Sequence, residues 1–248
     1  MMNIFVYILS TLRLILLVIV SFIVVFSGLL VWYISGKNRK IGQSVSYIWA
    51  NASLWLLNIK IRYYGDRPKS AGIVMANHQG YLDIFVLLAQ GRYSIIAKQE
   101  IGKWPIVKSA AKMINMILVN RGNASSMIKV MRTLKEELEG GNSIILFPEG
   151  KTNAGNKTAP FKRGSFKVAT ELEAPVTPVS IIYHNPKDSW TGSATFIPHF
   201  LKQMGKWRTE MTIVFAPSIQ SGSLPELMKE TKEVIDKMLE EHNPSNSK

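Results

Sequence analysis

The stretch Ile73-Val74-Met75-Ala76-Asn77-His78-Gln79-Gly80-Tyr81-Leu82-Asp83-Ile84-Phe85-Val86-Leu87-Leu88 decides how this chain is read. Its first four residues are a short apolar run of the kind that forms a buried strand, and its last five begin a buried helix. A histidine and an aspartate therefore flank a strand-to-helix corner. At about 3.6 residues per turn, five positions on one helix leave side chains about 140° apart, so His78 and Asp83 cannot share a helical face. They meet only if His78 lies in the turn and Asp83 in the first helical turn. There Asp83 would accept a hydrogen bond from one ring nitrogen, fix the tautomer and leave the other nitrogen as a general base. The plainer alternative is a helix cap, with Asp83 favoured by the positive end of the helix dipole.

A second cluster, Ile145-Leu146-Phe147-Pro148-Glu149-Gly150-Lys151-Thr152, favours the chemical reading. Ser143 to Phe147 reads as a strand, ended by Pro148, which has no N–H for a ladder, and by Gly150, which permits a tight turn. Glu149 is thereby expected at the carboxyl end of a strand, the edge where open α/β sheets collect ligands. Between the clusters, Ile117-Leu118-Val119-Asn120-Arg121-Gly122-Asn123 repeats the pattern of strand and polar turn. Arg121 offers a planar fork suited to a phosphate. A salt bridge between Arg121 and Glu149 is the structural alternative.

In these blocks the chain resembles the glycerolipid acyltransferases, most closely the bacterial 1-acyl-sn-glycerol-3-phosphate acyltransferases. The likeness rests on N-H-x-x-x-x-D at Asn77 to Asp83, on F-P-E-G at Phe147 to Gly150 and on the turn at Arg121. Ala97-Lys98-Gln99-Glu100, Phe161-Lys162-Arg163-Gly164 and Val176-Thr177-Pro178-Val179 follow the family's order. The resemblance implies His78 and Asp83 as catalytic residues, with Lys98, Arg121, Glu149, Gly150 and Lys151 as substrate-binding residues. Lys151-Thr152 departs from the family's usual Thr-Arg after the glycine, which makes Lys151, Lys162 and Arg163 competing phosphate-facing cations. Backbone N–H groups in the Gly80 turn are the candidate oxyanion donors. The reaction implied is direct acyl transfer from acyl-CoA or acyl-carrier protein to the free hydroxyl of lysophosphatidate, giving phosphatidate. Glycerol 3-phosphate, a lyso-ornithine lipid or another lysophospholipid stays open as acceptor, and an inactive membrane scaffold is the alternative outside enzymes.

Composition points to a membrane surface. Lys and Arg number 30 against 17 Asp and Glu, a net charge of +13, yet 47% of residues are apolar. A nucleic-acid binder shares the charge but not the apolar N-terminus. Leu14 to Ile34 holds no charged residue over 21 positions, about 31 Å of helix against a bilayer core of about 30 Å. A cleaved signal peptide fits poorly, because no basic cluster precedes the run and no small-residue site follows it. Lys37, Arg39 and Lys40 place its far end, and the domain beyond, on the cytoplasmic side, which for a bacterial relative is the face of the inner membrane. In the next uncharged stretch, Val45, Ile48, Trp49, Ala52, Trp55, Leu56 and Ile59 recur at helical spacing. This stripe is expected in the membrane interface, with packing on the domain core as the alternative.

Residues 1–60 are therefore expected to be a two-helix anchor, transmembrane or leaflet-embedded, residues 61–242 the catalytic domain and 243–248 a disordered tail. Strands are expected at Gly72 to Ala76, Ser94 to Lys98, Ile117 to Asn120, Ser143 to Phe147, Val176 to Tyr183 and Met211 to Phe215. Helices are expected at Ser125 to Glu139, at Gly164 to Glu173 and near Leu227 to Leu239. The alternation predicts an α/β fold with a mixed, largely parallel sheet flanked by helices. Without cysteine there is no thioester on the enzyme and no thiolate metal site. The four histidines form no close ligand pair, so no metal or cofactor is expected. Neither a G-x-S-x-G elbow nor a G-x-x-x-x-G-K loop occurs.

Overall fold

A computed structural model describes residues 4–98, 105–114, 116–119, 124–192 and 194–244. Its centre is a sheet whose strands are β1 (Ile59–Tyr64), β2 (Ile73–Ala76), β3 (Tyr93–Lys98), β4 (Ile117–Val119), β5 (Ser143–Leu146), β6 (Val176–Tyr183) and β7 (Thr209–Phe215). Their order is β1-β7-β6-β2-β5-β3-β4, and every neighbouring pair is parallel except β6 with β7. The expected mixed, largely parallel sheet is thus present. The central strands β2 and β6 are buried at every position, as near-continuous Val and Ile runs covered on both faces should be. Pro178 is tolerated in β6 because the ladder to β7 begins one residue later, at Val179 opposite Phe215.

Helices cover both faces. On one lie α2 (Arg39–Leu56), α3 (Leu82–Leu88), α4 (Pro105–Met113) and α7 (Phe196–Met204); on the other lie α5 (Ala124–Glu139), α6 (Arg163–Glu171) and α8 (Leu224–Glu241). The first face packs Val86, Leu87, Ala50 and Leu54 onto Val74, Ile145 and Ile181. The second packs Leu134, Phe166 and Leu227 onto Ile73, Met75 and Ile144. The predicted strands are found within two residues of their expected ends. β1 is a strand the sequence reading did not separate from the stretch before it.

The N-terminal segment corrects one expectation. α1 (Ile4–Ile34) and α2 form an antiparallel pair, joined where Trp49 Nε1 donates to Ser21 Oγ at 2.8 Å. The expected stripe of α2 is divided: Val45 is buried, Trp49, Ala52 and Leu56 are half-buried with the Trp49 ring 4.7 Å from that of Phe85, and Ile48 and Trp55 are exposed, while Ala50 and Leu54 beside the stripe are buried. Ile59 belongs to β1, since the helix ends at Leu56. The packing alternative therefore describes the inner side of α2, leaving Tyr47, Ile48 and Trp55 as its outward residues. Arg39 fastens the start of α2 to α5 through buried Glu137 at 3.2 Å, and Ser94 Oγ donates to the same carboxylate at 2.7 Å.

Candidate active site

At the end of β2 the chain turns away from the sheet, and the side chain of Asn77 takes over its hydrogen bonding. Buried Asn77 donates from Nδ2 to Ile181 O at 2.9 Å and accepts from Ile181 N–H at 2.7 Å. The amide thus imitates a strand residue facing β6, which frees the following main chain to leave the sheet plane. His78 comes next, and α3 begins at Leu82, so Asp83 sits in the first helical turn as the spacing required.

His78 Nδ1 lies 2.8 Å from Asp83 Oδ2. The same oxygen accepts the N–H groups of Gln79 at 2.6 Å and Gly80 at 2.9 Å, while Oδ1 accepts the Tyr183 hydroxyl at 2.7 Å. Asp83 is completely buried, and these four donors replace its water. An acceptor-only carboxylate requires the hydrogen on Nδ1, so Nε2 is the nitrogen left for proton transfer. Burial, followed by the Asp83 charge, pushes the Tyr183 phenol well above its ordinary value, which keeps the donor proton in place. The histidine ring stacks on Phe147, with centroids 4.1 Å apart.

Two expected roles change here. The Gly80 N–H points at Asp83 and is committed within the loop, so it is not the oxyanion donor. Glu149, expected to bind substrate, is buried with Oε1 accepting His78 N–H at 2.9 Å and Oε2 accepting Ala159 N–H at 2.7 Å. Both oxygens hold backbone, and Glu149 is a positioning residue. Burial pushes its carboxyl above the ordinary value, and the two N–H groups oppose that rise. Asn153 N–H completes the brace by donating to His78 O at 2.7 Å.

Glu149→Gln tests the brace. A carboxamide has one acceptor oxygen, so one buried N–H loses its partner at a cost of about 1–3 kcal/mol. Transmitted to the placement of His78, that is roughly a 10- to 100-fold fall in kcat, with the acceptor KM little changed. Steady-state kinetics distinguish this from a substrate ligand, whose loss raises KM.

Gly150 adopts φ +68°, and a side chain there would meet the Lys162 ammonium group at 2.6 Å. The left-handed backbone is what favours glycine here, since the lysine tip can move aside. Lys162 therefore overlies the turn, held also by its N–H to Pro148 O at 2.8 Å, whereas Lys151 is exposed beside it. Lys98 ends β3 and pairs with Val119, the last residue of β4. Arg121 follows two residues later and lies outside the described residues. His78 and Glu149 lie in the turns after β2 and β5 and Lys98 ends β3; together with β4 these strands are consecutive neighbours whose carboxyl ends share one edge. At about 4.8 Å per strand, Lys162 over the β5 turn is one spacing from the His78 strand, and the strand leading to Arg121 is three, about 14 Å.

Asn77, Tyr183 and the Trp190 N–H, which donates to Gln79 O at 2.8 Å, are site residues that the sequence reading did not assign. Asn77 was visible in the motif; nothing in the chain links Tyr183 to an aspartate 100 positions away.

The Acyltransferase family profile matches residues 59–182, half of the chain, a span that contains His78, Asp83, Glu149 and Lys162 but stops short of Tyr183 and Trp190. The chain belongs to the Acyltransferase family. Among its relatives, the 1-acyl-sn-glycerol-3-phosphate acyltransferase of Neisseria gonorrhoeae is 33% identical over 128 residues, covering 52% of this chain and 49% of that protein. The lyso-ornithine lipid O-acyltransferase of Brucella abortus is 29% identical over 167 residues, covering 57% of this chain and 62% of that protein. Thus the chain spans about half the length of the Neisseria relative. The crystal structure of the 1-acyl-sn-glycerophosphate (LPA) acyltransferase PlsC from Thermotoga maritima superposes with a TM-score of 0.70 at 26% identity, covering 94% of this chain and 95% of that one. The likeness to that structure therefore extends beyond the profile's span into the helical pair ahead of the sheet.

Proposed function

We propose that this protein is a 1-acylglycerol-3-phosphate O-acyltransferase, moving an acyl group from the thioester of acyl-CoA or acyl-carrier protein to the free hydroxyl of lysophosphatidate. The observation that carries the reading is the 2.8 Å contact of His78 Nδ1 with buried Asp83 at the carboxyl edge of the sheet. His78 Nε2 takes the hydroxyl proton as the acceptor oxygen attacks the thioester carbonyl, and Asp83 stabilises the imidazolium. Collapse of the tetrahedral intermediate breaks the carbon–sulfur bond. The imidazolium returns its proton to the departing thiolate, so the products are phosphatidate and a free thiol. With no cysteine in the chain, attack without an enzyme-bound thioester is the consistent route.

The acceptor phosphate is assigned to Arg121 together with the Gly150 turn, whose nearest cation is Lys162. Arg121→Ala is expected to raise the KM for lysophosphatidate strongly with little effect on the acyl donor. Arg121→Lys should restore only part, because an ammonium does not copy the bidentate fork. An acceptor analogue without phosphate provides the control. Equal slowing of both acceptors would move the phosphate site to Lys162, Lys151 or Arg163.

The membrane seat supports a lipid acceptor. α1 has 31 residues, about 46 Å, and presents Val18, Ile19, Phe22, Ile23 and Phe26 outward. It also packs along α2, which is fixed to the catalytic domain by Arg39 and by Gln43 Nε2 donating to Asn142 Oδ1 at 2.9 Å. Near its start α1 is tied to the domain again, where Arg13 donates to Met204 O and Trp207 O, and a bilayer crossing by α1 would draw that polar turn into hydrocarbon. The reading is an anchor embedded in one leaflet, on the cytoplasmic side of a bacterial inner membrane.

A further inference from the structure

The apolar surface of the anchor does not stop at α1. α1 contains one charged residue, Arg13, and it is buried: its guanidinium donates to the carbonyl oxygens of Met204, at 3.1 Å, of Lys206, and of Trp207, at 3.3 Å. Val6 seats against Gly205, where any side chain would displace it. The first third of α1 is thus fastened to the turn that follows α7. On that helix and turn, Ile197 and Trp207 are 67% and 70% exposed, and Phe196 is 45% exposed. On α1, Ile4, Phe5, Tyr7 and Ile8, which flank Val6 in the chain, are exposed as well. Large apolar side chains exposed together mark an interaction surface.

We propose that α7 and its following turn form a second bilayer contact, with Ile197 and Trp207 entering the leaflet that holds α1. Continuity with α1 identifies the occupant as lipid: Arg13 and Val6 join the two surfaces, so a leaflet that receives the outer face of α1 also reaches α7. Lys202 on α7 and Arg208 just after it, which pairs with Glu210 at 2.9 Å, are exposed cations of the kind an interfacial helix carries. Trp at a hydrocarbon boundary fits the same environment.

The inner side of α7 gives the contact its consequence. Phe196 and Phe200 pack on Tyr81, with ring centroids 5.4 Å and 5.5 Å apart, and the Tyr81 hydroxyl lies 3.2 Å from His199 Nδ1. Tyr81 belongs to the loop between His78 and Asp83. The reacting loop is therefore within about one helix diameter, roughly 10–12 Å, of the leaflet surface. A membrane-borne acceptor reaches His78 without leaving the interface. This inference rests on the anchoring of α1 and not on the identity of the acceptor.

The cysteine-free chain permits a direct test with single labels. Ile197→Cys, Phe22→Cys on α1 and Lys229→Cys on α8 each receive an environment-sensitive fluorophore in the full chain, reconstituted into vesicles of phosphatidylglycerol and phosphatidylethanolamine. The expected result is blue-shifted emission at 197 and 22, quenched by nitroxide-bearing lipids, with neither effect at 229. Quenching at 22 with none at 197 overturns the proposal and leaves the anchor standing. No quenching at either overturns both. Blue-shifted emission at 197 that nitroxide lipids do not quench means that protein covers α7, and overturns it as well. Ile197→Asp supplies a functional readout: KM should rise several-fold for a vesicle-borne acceptor and stay unchanged for a short-chain soluble one. An equal rise for both contradicts the proposal.

Discussion

Replacing His78 with alanine is expected to lower acyl transfer by about 10³-fold or more while the fold persists. A positioned general base commonly contributes roughly 10²- to 10⁴-fold. The fold should survive because the partner that His78 leaves behind remains satisfied. Asp83 keeps the N–H groups of Gln79 and Gly80 and the Tyr183 hydroxyl, and the Glu149 brace binds the main chain of residue 78. Thiol release from the acyl donor measures the reaction, and circular dichroism checks the fold. A folded His78→Ala protein that turns over normally would exclude His78 as the base.

Asp83→Asn should cost nearly as much, roughly 10²- to 10⁴-fold in kcat, and for an electrostatic reason. An asparagine can place its carbonyl oxygen where Oδ2 now receives three donors, and its NH₂ group toward Tyr183, whose hydroxyl can rotate to accept. Geometry is preserved, while the charge that stabilises the imidazolium is lost. Tyr183→Phe separates the two contributions. It keeps the carboxylate but removes one of four donors to it, a loss of about 1.5–3 kcal/mol, or roughly 10- to 150-fold. If Asp83→Asn and Tyr183→Phe slow transfer equally, Asp83 serves to shape the loop and not to carry charge.

The parts of this site legible in the sequence are those fixed by local rules. An apolar run, a polar corner and a second apolar run locate His78 and Asp83, and five-residue spacing dictates how they meet. β6 is legible because Pro175 precedes its run rich in β-branched residues and polar His184 and Asn185 follow it. β1 was hidden because Ile59, its first residue, also continues the helical stripe of α2. α7 was hidden because its Phe-Ile-Pro-His-Phe start resembles a loop; Pro198 is tolerated as the third residue of the helix, within the first turn, where its missing N–H has no helical partner to lose. The functions of Gly80 and Glu149 were read from residue type, yet they are decided by where individual N–H groups point. That direction is set by β2, β5 and β6 lying side by side, a nonlocal fact that no window of sequence contains.

The most direct test of the central claim presents the purified, vesicle-reconstituted protein with acyl thioester and three acceptors in parallel: lysophosphatidate, its analogue without phosphate, and a lyso-ornithine lipid. Products are resolved by mass spectrometry. The account predicts phosphatidate as the preferred product, formed with one thiol released per acyl group and absent with His78→Ala. Preferential acylation of the lyso-ornithine lipid, or phosphatidate formation undiminished by His78→Ala, would contradict it.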